Sequence, residues 1–194
     1  MISTNLRKIY VLCEQYKNTH PDERDNLEET YRAHTISKEE GRELKTTHKE
    51  MARNGEDFAA CCFDLEQVLQ CPHGGNSLFF YKRKLDVYNL SVYSLGNGEV
   101  NCYVWDQTIA KRGASEIGSC ILKFLIDQAK NGIKKIAMYS DNCAGQTKNR
   151  FILAMMLYAV QHTDLEKIAL CFLERGHTQN ENDSVHATIE RAKK

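Results

Sequence analysis

Three aspartates stand where a carboxylate needs a physical reason. Asp64 interrupts the apolar run "FAACCFDLEQVL", Asp141 closes the strand pattern "KKIAMYSD", and Asp183 opens the helical stretch "NDSVHATIERAKK". A charge at the end of a buried strand is costly unless it is paired or bound to a cation, so such an acid is either a cap or part of a site. Two strand-borne acids and one from a helix could converge on a pair of divalent ions. Such a pair activates water or a 3′-hydroxyl and stabilises the leaving oxygen in phosphodiester chemistry. Hard oxygen donors suit Mg²⁺ or Mn²⁺, two ions in all. Asp64, Asp141 and Asp183 are therefore the candidate metal ligands and catalytic acids. Each has a plainer alternative: Asp141 could cap a turn ahead of "NCAGQTKNR", and an acid in a first helical turn such as Asp183 suits the helix dipole. Asp64 is harder to explain away, because the flanking "AACCF" leaves little solvent around it.

Other groups could join them. His177 precedes Asp183 by six residues and His186 follows it by three. Imidazoles beside a metal pair could move protons or contact phosphate, and His177 is the candidate proton-transfer residue. Glu116 in "RGASEIGSC" is a fourth acid near the start of a long helix, where a surface glutamate is also the default. Cys143 follows Asp141 in a strand-to-helix connection, where a helix end lowers a thiol pKa. With His177 it suggests a cysteine hydrolase, although no glycine-flanked nucleophile turn accompanies it. "AGQTK" lacks the spacing of a phosphate-cradling loop. Three basic clusters could meet phosphates: "YKRK" (81–84), "AKRG" (110–113) and Lys148 with Arg150. Tyr81, Tyr88 and Trp105 could add stacking, although strand aromatics usually pack in a core.

The elements that must position these groups follow from periodicity. From about Leu6 to Gly55 the chain is charged, with apolar residues at helical spacing, and reads as two helices broken near "NTHPDERDN". This solvated helical arm or hairpin occupies residues 1–55, and the core occupies 56–194. The core opens on the strand ending in Asp64, followed by the loop "CPHGGNS". "LDVYNLSVYSL" and "GEVNCYVWD" flank Gly96-Asn97-Gly98 and form a hairpin. "GASEIGSCILKFLIDQAKNG" is an amphipathic helix stopped by Gly132. Strand "KKIAMYSD", helix "NRFILAMMLYAVQHT", strand "KIALCFLERG" and a last helix complete the order. The class is α/β, with a mixed sheet flanked by helices.

Composition narrows the function classes. At 194 residues and 42% hydrophobic content the chain can bury one core plus an appendage. A formal net charge of zero supplies no global field to gather nucleic acid, so any such contact needs local patches. The 8 cysteines lie mostly in apolar runs and read as reduced, buried thiols. No window is apolar enough to span a bilayer, and Met1-Ile2-Ser3-Thr4 opens no targeting pattern, so a soluble intracellular protein is expected.

The element order resembles the ribonuclease-H-like fold of retroviral integrases and cut-and-paste transposases, three strands, then helix, strand, helix, strand, helix. In that fold one acid sits on the first strand, one after the fourth and one on a late helix, the places held here by Asp64, Asp141 and Asp183. Several blocks also resemble an uncharacterised, transposon-derived domain family of insect and other animal genomes: "CEQYKN", "CFDLEQVLQCP", "FFYKRKLDVYNLSVYSL", "YSDNCAGQTKNRFILAMMLYAV" and "GHTQNENDSVHATIE". The resemblance implies a metal-dependent DNA strand-cleaving and strand-transferring core acting in the nucleus. Its implied partners are DNA, as transposon ends or target, and a further copy of the chain. The alternative it carries is a non-catalytic transposon-derived module that binds nucleic acid or protein. Longer relatives carry a Cys-x-x-Cys pair, whereas Tyr10 stands at its first position here and leaves Cys13 alone. The core, ending at "IERAKK", is expected to be truncated at its C-terminal end.

Overall fold

The computed structural model describes residues 16, 20, 25–74, 77, 81–141, 146–172 and 180–192. Six strands form one mixed sheet: β1 (Phe58–Leu65), β2 (Leu69–Cys71), β3 (Leu85–Ser94), β4 (Val100–Asp106), β5 (Lys135–Ser140) and β6 (Lys167–Phe172). Among the described residues there are four helices, α1 (Asp25–Asn54), α2 (Ala114–Lys130), α3 (Arg150–His162) and α4 (Asn182–Ala192). β3 carries antiparallel β4 along one edge and antiparallel β1, then β2, along the other. β1 runs parallel to β5, and β5 parallel to β6. The order across the sheet is therefore β4, β3, β1, β5, β6, with the strand of Asp64 in the middle.

Local chemistry sets the ends of these elements. Gly98 turns the β3–β4 hairpin at φ +78°, and Asn97 Oδ1 accepts from the Glu99 amide at 3.1 Å. Gly132, at φ +87°, closes α2 as expected, its amide and that of Ile133 returning to Ala129 and Gln128. Asn149 caps α3, its Oδ1 accepting from the amides of Phe151 at 3.0 Å and Ile152 at 3.1 Å. The short β2 falls between the strand ending in Asp64 and the loop expected at "CPHGGNS", sharing only Cys71 with that loop. Three residues carry too little pattern to announce a strand, and pairing with Leu85–Val87 creates it.

Strand alternation sorts the side chains onto two faces. Cys61 and Phe63 of β1 face the larger core with Ile117, Ile121 and Leu125 of α2 and Ile152 of α3. Ala60 and Cys62 face the opposite way, in a smaller cluster with Leu95, Tyr139 and Ala52 of α1. Asp64 continues the second set.

Most described residues of α1 are exposed, and its last turns meet the sheet. There His48 Nδ1 lies 2.7 Å from the Tyr139 hydroxyl, and a Cβ at Gly96 would meet the Ala52 carbonyl oxygen at 2.8 Å. Tyr16 stacks on Tyr31, ring centroids 3.9 Å apart. The thiols divide similarly. Burial pushes the Cys61, Cys62, Cys120 and Cys171 thiols up, Cys62 to about 12. Cys71 and Cys102 are exposed, contrary to expectation: Cys71 ends the three-residue β2, and Cys102 lies on β4, which among the described strands pairs with β3 alone. Cys13 and Cys143 lie outside the described residues.

Candidate functional site

The parallel ladder between β1 and β5 pairs Cys62 with Tyr139 and goes no further. Two residues beyond on each strand, on the same face by alternation, come Asp64 and Asp141. They stand at equivalent positions on neighbouring strands, past the point where hydrogen bonding holds the strands together. Asp141 is not a helix cap, since that role belongs to Asn149. It is held instead by Thr147, whose hydroxyl donates to the Asp141 carbonyl at 3.0 Å.

α4 lies over this corner and adds the third acid and an imidazole. Asp183 is exposed in its first turn. One turn on, His186 Nε2 meets the Ser91 hydroxyl at 2.6 Å, and its Nδ1 lies 4.0 Å from Asp64 Oδ2. Ser91 is the cross-strand partner of Asp64 in the β1–β3 ladder, so strand register places Asp64 beneath the imidazole. The sequence leaves His186 a secondary candidate, and the structure sets it against Asp64. His177, by contrast, lies outside the described residues.

Residues 82–193 match the family described as Domain of unknown function (DUF7869), more than half of the chain. The chain belongs to this family. No curated protein and no solved structure matches it. The DUF7869 match takes in Ser91, Asp141, Asp183 and His186, whereas Asp64 and α1 precede it. Among the described residues of this DUF7869 chain, no helix is long and apolar enough to cross a membrane.

The electrostatics show four acids sharing one region. Burial, then the charges of Asp141, Asp183 and Glu66, push the Asp64 carboxyl up to about 7. His186 is lowered, because its burial outweighs the pull of Glu66 and Asp183. Near neutrality the imidazole is therefore uncharged and does not neutralise the acids. Glu66 is a member that sequence reading missed. It is 3% exposed, its Oε2 accepts from Asn89 Nδ2 at 2.8 Å, and its Oε1 has no hydrogen-bond partner among the described residues. The signal was its i+2 spacing from Asp64, which puts both on one strand face.

Carboxylate oxygens are the donor type that a hard divalent cation takes. Those of this corner repel one another, and a buried one among them lacks a hydrogen-bond partner among the described residues, a deficit that Mg²⁺ or Mn²⁺ would meet. Among the described residues, no group of three or more His, Cys, Asp or Glu side chains is placed so that it could hold a metal ion.

A second layer ties α4 down. Glu181, two residues before Asp183, accepts from Lys45 Nζ of α1 at 2.6 Å and from Cys62 Sγ of β1 at 2.9 Å. Burial works against its charge, and these two donors outweigh it, so the Glu181 carboxyl lies below its usual range. Nothing in the sequence pairs residues this far apart.

Glu116 belongs elsewhere. Its Oε2 accepts from the Gly113 amide at 3.0 Å and closes the first turn of α2. Replacing it with alanine is expected to cost about 0.5–1 kcal/mol in urea unfolding and to leave cation binding unchanged. A loss of cation affinity in Glu116→Ala would return it to the site.

Proposed function

We propose that this chain is a transposase-derived, metal-dependent domain for cleaving or transferring phosphodiester bonds, built on a ribonuclease-H-like fold. The observation that carries the reading is the β1–β5 register. It sets Asp64 and Asp141 side by side beyond the last ladder pair, on the face where α4 brings Asp183 and His186. The strand order supports the fold assignment: an antiparallel trio, then two strands parallel to the central one, joined through helices on one side.

Asp64, Asp141 and Asp183 would hold the ions, with Glu66 beside them. When bound, two Mg²⁺ or Mn²⁺ ions would supply activation of water or a 3′-hydroxyl and stabilisation of the leaving oxygen. The chain's own groups do the rest. Ser91 orients the His186 ring over Asp64, and the neutral imidazole can hold a proton released at that corner. Thr147 fixes the backbone at Asp141, and Glu181 anchors the start of α4. DNA is the proposed partner, with the nucleus as the compartment that supplies it and a second copy as a further partner.

A Mn²⁺ titration by calorimetry tests this reading. The wild-type chain should bind Mn²⁺ and Asp141→Ala should lose at least about tenfold in affinity, a difference of about 1.4 kcal/mol. Retained DNA binding without any Mn²⁺ binding would replace it with the non-catalytic binding module. Labelling of Cys143 far ahead of the other thiols would instead favour a hydrolase using Cys143 and His177.

A further inference from the structure

Two of the basic clusters, distant in sequence, converge. Lys84, from "YKRK" at the entry to β3, and Arg112, from "AKRG" ahead of α2, line one cavity of about 680 Å³ with His73, Gln67 and Gln70. Its volume is that of a ligand site, about 300–1,000 Å³. The loop that carries Arg112 is pinned from below, since Trp105 Nε1 donates to the Lys111 carbonyl at 3.0 Å. Gln70 sits on β2, which pairs with β3 immediately after Lys84. Lys84 and Arg112 therefore come from two separate segments, one leading into β3 and one leading into α2, rather than from one solvated run.

The cavity adjoins the acidic corner along two paths. On β1 and its continuation, Asp64 and Glu66 lead to Gln67, Val68 and Gln70. On α4, Asp183, His186 and Glu190 recur at i, i+3 and i+7, one stripe of the helix, and Glu190 lines the cavity. Glu190 is its one carboxylate among the lining residues, and it is already engaged in an interaction of its own.

We propose that this cavity is the phosphate-backbone tract of the site: Lys84 and Arg112 contact successive phosphodiesters of a DNA strand, directed by Gln67 and Gln70 toward the acids. The inference deepens the phosphodiester reading and rests on it for the identity of the ligand. Guanidinium and ammonium groups with neighbouring amides suit phosphate and sugar oxygens without reading bases. Because the net charge of the chain is zero, binding must come from such a local tract.

The test is anisotropy of a short fluorescent DNA, single-stranded and duplex, titrated over a range of salt in EDTA, so that no divalent ion takes part. In the Lys84→Gln/Arg112→Gln double variant, affinity should fall at least tenfold at low salt. The slope of log K against log salt should drop by about 1.4–1.8, two phosphates at about 0.7–0.9 each. The wild-type preference between strand and duplex tells which form the tract fits. The charge-matched control Lys123→Gln/Lys130→Gln, on the exposed face of α2 and outside the cavity lining, should change affinity by less than about twofold and shows that net charge alone is not responsible. Mn²⁺ binding should survive in the Lys84/Arg112 variant, which also reports that it is folded. Unchanged DNA affinity or salt slope in that variant, an equal loss in the control, or binding of a mononucleotide as tight as DNA overturns the proposal. Loss of Mn²⁺ binding by the wild type would overturn the metal reading alone, because the DNA titration contains no metal.

Discussion

Asp64→Asn should unfold at higher urea than the wild type when metal is absent and the pH is above 7. The reason is the environment of the carboxyl. Burial and the charges of Asp141, Asp183 and Glu66 raise it from 3.8 to about 7. Ionising Asp64 is therefore harder in the folded chain than in the unfolded one. Below the unfolded value both states are protonated and the folded chain carries no penalty. As pH rises from about 4 through 7 the unfolded state releases its proton first, and stability falls. Above 7 the loss levels off at on the order of 2–4 kcal/mol, from about 1.4 kcal/mol per pKa unit. Asparagine has no proton to lose, so the advantage of the variant should grow across that window and vanish in acid. Adding Mn²⁺ should reverse the order, because only the wild type gains binding free energy. A variant equally destabilised at every pH would show that Asp64 is held by compensating bonds rather than by repulsion. A cation-binding residue is expected to carry such a cost, since an acid arranged to receive a metal is frustrated without it.

Lys45→Met should destabilise the chain by about 1–3 kcal/mol and weaken Mn²⁺ binding as well. Lys45 and Glu181 are mostly buried, their side chains 13% and 26% exposed, and the ammonium also stands 5.9 Å from the centre of the Tyr139 ring. Methionine keeps much of the stem's packing and removes the charge, leaving the Glu181 carboxylate with the Cys62 thiol alone of these two donors. Because Glu181 sits below its usual range in the fold, its contribution is present above the unfolded carboxyl value and is lost as pH falls through the lower folded one. The gap between wild type and variant should therefore be widest at neutral pH and close in acid, as read by urea unfolding. Mn²⁺ affinity should fall in the variant because Asp183 follows Glu181 by two residues, and Lys45→Arg should restore both properties. A gap independent of pH would mean that Lys45 contributes packing only.

Much of this fold is legible in the residue pattern, for reasons that are local. The continuous apolar runs in "FAACCFD" and "KKIAMYSD" mark strands buried on both faces, Gly98 and Gly132 sit where positive φ is needed, and Asn149 caps the helix it precedes. These features depend on neighbours within a few residues, so a linear reading recovers them. The seating of the end of α1 was not legible for the same reason. Charge density predicts a solvated helix and most of α1 is exposed, while the seating of its last turns depends on Ala52 meeting Gly96 and His48 meeting Tyr139, contacts that only the closed chain makes.

By itself, the sequence determined that two acids would end buried strands and that a third would start a helix, because hydrophobic period and carboxylate placement are properties of the chain order. The tertiary structure decided which of those acids share a face. Strand register sets Asp64 beside Asp141, α4 lies across them through His186 and Ser91, and Glu181 is held by residues 119 and 136 positions away. It also decided that Glu116 closes a helix turn and that Lys84 and Arg112 meet in one cavity. Such pairings follow from how loops close and sheets stack, and a single sequence carries no periodic signal for them.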